Sequence, residues 1–203
     1  YEWLHNRNTD LSKVVPSPNQ IDYLYIRSLY RDIPELGSAR KAIRFYTAQA
    51  AKYWKEQDLY GKGEVALLMH ANGVKETADN IMAWLRKTVT TDREKGMYWA
   101  NNRRDNNYFT SPIETHCLLM SAFRTFEVPT SEIDRMKQWL LNQKRTQRWE
   151  TEPATLNAIY TLMLTGSDWL SEQNACAVEW GNLHFTTEQG EAGTGYLKRT
   201  ITQ

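Results

Sequence analysis

Two helix starts written in nearly the same words constrain this chain more than any other feature. "SPNQ", Ser17 to Gln20, and "SPIE", Ser111 to Glu114, both place Ser at an N-cap, Pro at the first helical position and Gln or Glu three residues after the Ser. That order forms a capping box, because the N-cap hydroxyl and the returning side chain satisfy two backbone N–H groups that a helix start leaves unpaired. "TEPA", Thr151 to Ala154, is a looser third copy. A Trp precedes each start, at Trp3, Trp99 and Trp149, and Trp54 takes the corresponding place before a helix that opens on Gly. These positions predict a degenerate unit of about 48 residues: a helix, a Trp-bearing loop and a second, Pro- or Gly-started helix.

Apolar stripes at helical spacing support the unit. They run through Ile21, Leu24, Tyr25, Ser28 and Leu29; through Ala39, Ala42, Ile43, Tyr46, Ala50 and Tyr53; through Val65, Leu68 and Met69; and through Ala78, Ile81, Met82 and Leu85. Ile113, Cys117 and Met120 follow, then Ile133, Met136 and Leu140, and last Leu156, Ile159, Tyr160 and Met163. Seven amphipathic helices are expected. The outer members echo one another, as "AWLRK" (Ala83 to Lys87) and "QWLLNQK" (Gln138 to Lys144) show. A helix pair of this size buries little alone and must stack on its neighbours. The expected fold is therefore mainly α, an α/α-toroid-like array of helical hairpins over 1–170.

Past Leu170 the period changes. "CAVEWGNLHFTTEQ" carries Val178, Trp180, Leu183 and Phe185, and "GTGYLKRTITQ" is a second β-prone run. Two short strands are expected in 171–203, capping the helices or opening a following β domain.

Charge narrows the functional classes. Against 25 Lys and Arg stand 24 Asp and Glu, with the signs mixed along the chain, so the basic stripe that nucleic acid requires is missing. No apolar run approaches the ~20 residues of a membrane span. Cys117 and Cys176 sit in unrelated contexts with no CxxC pair, against a zinc site or a disulfide framework. The chain opens on Tyr, not Met, and reads as a soluble piece of something longer.

No catalytic, cofactor-binding or metal-binding set emerges. His5, His70, His116 and His184 make no HxxxH or HExxH pattern. "ETHC", Glu114 to Cys117, is the densest group of ligand types, but on a helix Glu114 and Cys117 share a face that His116 does not. A core Cys beside a boundary His is the plainer reading. "GKGE" at Gly61 to Glu64 is too short to cradle a phosphate, and Asp105 in "NNRRDNNYF" suits a solvated loop. The eight Trp and eleven Tyr suit a core or a sugar-binding surface equally. Trp3, Trp99 and Trp149 are most simply wedges fixing each loop against the next helix start; a ligand-facing role stays open.

Gln143 and Trp149 in "QKRTQRW" resemble the Q-x-x-x-G-x-W repeat of α/α-toroid proteins, with Gln147 where Gly is usual. More specifically, "MKQWLLNQKRTQRWETEPATLNAIYTLM", the "YEWLHNRN" opening and the "VEWGNLHFTTEQGEAGTGYLKRTI" ending resemble the thioester-type helical domain of bacterial alpha-2-macroglobulin family proteins, running into the following β domain. The family's C-x-E-Q thioester motif is not in this chain: "SEQ", Ser171 to Gln173, has no thiol two positions before Glu172. The resemblance implies a non-enzymatic, envelope-located domain of a protease trap or inhibitor, with other domains of the same parent chain, and proteases, as partners. It assigns no catalytic residue, and His116 receives no acyl-transfer role. An α/α-toroid carbohydrate-active enzyme or sugar-binding domain is the alternative. A terpenoid-cyclase-like enzyme should show a D-x-D-D run, and none is present.

Overall fold

A computed structural model describes residues 7, 9–103, 111–146, 149, 151–166, 177–180 and 183–186. Trp3, His5, Asp105, Cys176, the "SEQ" stretch and the "GTGYLKRTITQ" run lie outside the described residues. The chain divides into two compact units, Tyr1–Thr165 and Gly166–Gln203.

The first unit holds seven α-helices among the described residues: α1 (Pro18–Leu29), α2 (Gly37–Tyr53), α3 (Leu59–Ala71), α4 (Lys75–Thr88), α5 (Pro112–Thr125), α6 (Thr130–Thr146) and α7 (Glu152–Thr165). The helices with written starts pack on one another in sequence, α1 on α3, α3 on α5 and α5 on α7. Helix α2 packs on α1 and α3, α4 on α3, and α6 on α5 and α7. The capped helices thus form one continuous row, the inner row, against which α2, α4 and α6 pack.

The local chemistry explains the caps. At α5, Ser111 N–H donates to Glu114 Oε2 at 2.8 Å and Glu114 N–H donates to Ser111 Oγ at 3.3 Å. At α1, Ser17 N–H donates to Gln20 Oε1 at 2.9 Å. Thr151 caps α7 by accepting from Ala154 N–H at 3.1 Å, and Asp58 caps α3 by accepting from Gly61 N–H at 2.7 Å. Helix α3 then buries nine consecutive residues, Gly61 to Met69. A helix buried on every side belongs between neighbours, and α3 packs on α1, α2, α4 and α5. The helix opens at Leu59 behind its Asp58 cap, two residues before the expected Gly start, so "GKGE" runs from its first turn into its second, and Gly63 serves packing: a Cβ there would stand 3.0 Å from Leu119 and 3.2 Å from Leu118 of α5.

Six of the seven expected stripes supply core residues; the seventh does not. On α7, Leu156, Ile159, Tyr160 and Met163 are exposed, and Ala154, Ala158 and Thr161 are buried instead. The small stripe at i, i+4, i+7 lets α7 lie close against α5, and the bulky stripe faces away from the core.

A hairpin that the sequence reading left out joins α4 to α5. β1 (Thr90–Asp92) pairs antiparallel with β2 (Gly96–Tyr98). Asp92 Oδ1 accepts from Glu94 N–H at 2.8 Å and Lys95 N–H at 2.7 Å, which closes the turn, and Gly96 completes it at φ +88°. β2 packs on α6.

In the second unit β3 (Ala177–Trp180) pairs antiparallel with β4 (Leu183–Thr186), in the register Ala177 to Thr186 and Trp180 to Leu183. The first β-prone run therefore contains both strands, where it was expected to supply one. Gly181 and Asn182 stand between them, a two-residue sequence of hairpin type.

Candidate functional site

The inner row places four polar side chains at the N-terminal ends of α1 and α3. Asp22 and Tyr25 share a face of α1 at i and i+3, and Tyr60 and Glu64 share a face of α3 at i and i+4. Together with Asn19 and Asp58 they line a cavity of about 290 Å³. No Lys or Arg lines it among the described residues.

The cavity's electrostatics follow from burial. Glu64 is 3 % exposed, and its carboxyl is in hydrogen-bond contact with that of Asp22. Burial first, then that contact, then the negative charges of Asp22 and Asp58 push the Glu64 carboxyl up to about 9. Tyr60 is raised by burial and by the charges of Glu64, Asp22 and Glu114. Tyr25 is raised by burial, by Glu64 and by Tyr160 of α7. At neutral pH both phenols and the Glu64 carboxyl keep their protons.

A second cavity of about 430 Å³ lies on the other side of Gln57, Asp58 and Tyr60, with Lys62, Trp84 and Arg103 in its wall. Lys62 Nζ donates to the Gln57 carbonyl and sits 5.0 Å from the centre of the Trp84 ring. Its pKa is lowered, chiefly by burial.

The "ETHC" group does not converge on a ligand. Glu114 is committed to the α5 cap. His116 is fully buried, with Nε2 3.0 Å from the Met136 carbonyl and its ring centred 4.2 Å from Trp139. Nδ1 has no partner among the described residues, and burial holds the imidazole down at about 4. The boundary position expected for His116 is thus corrected to the core, because α6 and the Trp99 loop close over that face of α5. Burial pushes the Cys117 thiol up to about 12, far from a reactive thiolate. Among the described residues no three His, Cys, Asp or Glu side chains are grouped to hold a metal ion.

The recurring Trp residues that are described, Trp54, Trp99 and Trp149, are in or against the core. Trp99 is 1 % exposed and its Nε1 donates to the Leu85 carbonyl of α4 at 3.2 Å. Trp149 is half-buried and donates to the Leu140 carbonyl of α6 at 3.4 Å. Trp54 is buried, 6.4 Å from the Trp84 ring of α4. Two of these wedges hydrogen-bond back to the outer helix just completed, and Trp99 also sets its ring edge-on against His116 and Phe123 of α5, the next helix.

Sequence reasoning missed the Asp22 and Glu64 pair. The signal was a carboxylate and a Tyr on one face, repeated in two inner helices, and only the packing of α1 on α3 brings the two faces together. No helix among the described residues is long and apolar enough to cross a membrane. Comparison with protein-family models, with curated proteins and with solved structures gives no match.

Proposed function

We propose that the chain is a non-enzymatic helical domain of an alpha-2-macroglobulin-type protease trap of the cell envelope, docked through its end helices on other parts of the same parent protein. The carrying observation is the contrast along the inner row. Helix α3, in its middle, is buried on all sides, whereas α1 exposes Tyr23, Ile26 and Leu29, and α7 exposes Leu156, Ile159 and Met163, the last by 73 %. Apolar faces at both ends of a repeat array suit continuation by further elements, since a finished array carries polar capping units.

The carbohydrate-active alternative draws on the Asp22 and Glu64 pair. Glycosidase carboxyls stand about 5 to 9.5 Å apart, to make room for the sugar and water, and this pair is in hydrogen-bond contact. Trp54 and Trp99 are buried rather than offered to a sugar ring.

The test uses the full-length parent protein incubated with a protease. Trapping leaves the protease active on a small peptide substrate and inactive on a large protein. Ile26→Asp and Met163→Asp, each placing a charge at an end face, should cut the trapped fraction at least fivefold. Unchanged digestion of the large substrate by the wild-type mixture, or turnover of an oligosaccharide by the protein alone, would overturn the proposal.

A further inference from the structure

The hollow between the outer helices α4 and α6 carries positive charge that its own wall does not neutralise. Its volume is about 600 Å³, with Thr91 of β1 and Met97 of β2 in the wall. Arg86 and Lys87 come from the last turn of α4, and Arg135 comes from the second turn of α6. Glu132 of α6 is the one carboxylate of the wall among the described residues, so three cations against one anion leave an excess of +2.

Glu132 is already engaged. Its two oxygens accept from Arg86 Nε at 3.2 Å and from Arg86 Nη2 at 2.5 Å, which fixes the guanidinium fork and leaves Nη1 without a partner among the described residues. Lys87 and Arg135 likewise have no acidic partner among the described residues. The two α4 cations suit the C-terminal end of their own helix, but Arg135 stands near the N-terminal end of α6, where a helix favours negative charge. The arrangement serves an anion better than it serves α6.

The shape selects which anion. Ser131 lines the hollow at the start of α6, a 17-residue helix whose first N–H groups have no partner within the helix. The hydroxyls of Ser131 and Thr91 add donors, and Met97, 3 % exposed, gives an apolar floor. A bare ion would fill a small part of this volume. Two arginine forks, a lysine and an excess of two charges match a phosphomonoester, which carries about −1.5 to −2 at pH 7 and three strong acceptor oxygens. A carboxylate or a sulfate monoester brings one negative charge.

We propose that this hollow binds a phosphomonoester dianion, with the phosphate held by Arg86, Lys87 and Arg135 and the esterified organic group over Met97. The site shares no residue with the apolar faces of α1 and α7, so its test stands apart from protease trapping.

The experiment titrates the 203-residue chain, labelled with ¹³C in the methionine methyl groups, at about 0.15 M salt, where long-range attraction is screened. Met97→Leu assigns the Met97 signal. Methyl phosphate and glycerol 3-phosphate should each shift that signal saturably, with a Kd of about 1 mM or tighter. Methyl sulfate, of the same shape and a lower charge, should bind at least fivefold more weakly, and glycerol should give no shift. Arg135 and Lys95 are both exposed, and Lys95 lies on the hairpin turn outside the hollow. Arg135→Gln should weaken methyl phosphate binding at least tenfold, whereas Lys95→Gln should leave it within about twofold. Vesicles of phosphatidylcholine with and without phosphatidic acid distinguish the sources: cosedimentation that requires phosphatidic acid identifies a lipid headgroup, and binding of glycerol 3-phosphate without cosedimentation identifies a soluble ester. No saturable shift of Met97, equal affinity for methyl sulfate, unchanged binding by Arg135→Gln, or an equal loss in Lys95→Gln would each overturn the proposal.

Discussion

Replacing Gly96 by Ala should be among the most damaging single-methyl changes in the chain. At φ +88° an L side chain already costs about 1 to 2 kcal/mol. The added Cβ would also overlap the Arg135 carbonyl oxygen and stand 2.8 Å from Trp139 N, both backbone atoms of α6. A helix backbone cannot rotate away, so the β1–β2 hairpin must lift. Lifting weakens the hydrogen bonds from Gln138 Nε2 to the carbonyls of Arg93 (3.1 Å) and Glu94 (3.0 Å), and that from Asn142 Nδ2 to Glu94 (2.9 Å). At about 0.5 to 1.5 kcal/mol each, partial loss of the three adds about 2 kcal/mol. Unstacking of Tyr98 from Trp139, now 6.2 Å apart, adds somewhat less than 1 kcal/mol. The expected total is about 4 kcal/mol. Gly73 is the control, since it also has positive φ, at +72°, and a Cβ there meets nothing within 4 Å. Gly73→Ala should therefore cost only about 1 kcal/mol. Urea unfolding of both variants at pH 7.5 reads the difference. Equal losses would refute the reasoning, because they would mean that backbone strain alone matters and that the hairpin does not rest on α6.

His116 is held neutral by burial, so its contribution to stability is complete above pH 6.5 and is lost as pH falls toward about 4, by about 3 kcal/mol in all. Glu64 acts with the opposite sign, its contribution lasting below 4.5 and fading as pH rises to about 9; the difference in urea stability between wild type and His116→Phe isolates the histidine, and a constant difference across pH 4 to 6.5 would contradict the assignment. Glu127, past the end of α5, has φ +52° where Gly73 serves past α3, and Glu127→Gly should raise stability by about 1 kcal/mol, a gain that thermal melting would show as a higher Tm. Trp99→Ala should cost about 4 kcal/mol and half-buried Trp149→Ala about half as much, so equal urea midpoints for the two variants would count against their different burial.

Capping chemistry and stripe periodicity made the helices legible, because both are local. The hairpin at Thr90 to Tyr98 escaped notice since its turn is set by one Asp side chain and one Gly, and its strands are three residues long. On α7 the bulky stripe looked like a core face, and only its neighbours decide that Ala154 and Ala158 face α5. For the same reason His116 could not be placed, its burial depending on Met136 and Trp139 of another helix, 20 and 23 positions further along the chain. The carboxyl pair joins Asp22 to Glu64 across two helices, and no periodicity within either helix encodes such a meeting.

The inner row couples each capped helix mainly to the capped helices on either side of it, α1 to α3, α3 to α5 and α5 to α7. Opening should therefore spread along the row like a zip, beginning where a helix has a neighbour on one side only. Amide hydrogen exchange in α1 and α7 would proceed through local fraying, whereas α3 and the buried part of α5 would exchange only when the whole unit opens. The same sequential coupling lets a loosened end helix re-dock without disturbing the Leu119 and Gly63 crossing at the centre. Such an array can yield at its margins under load while its middle keeps its shape.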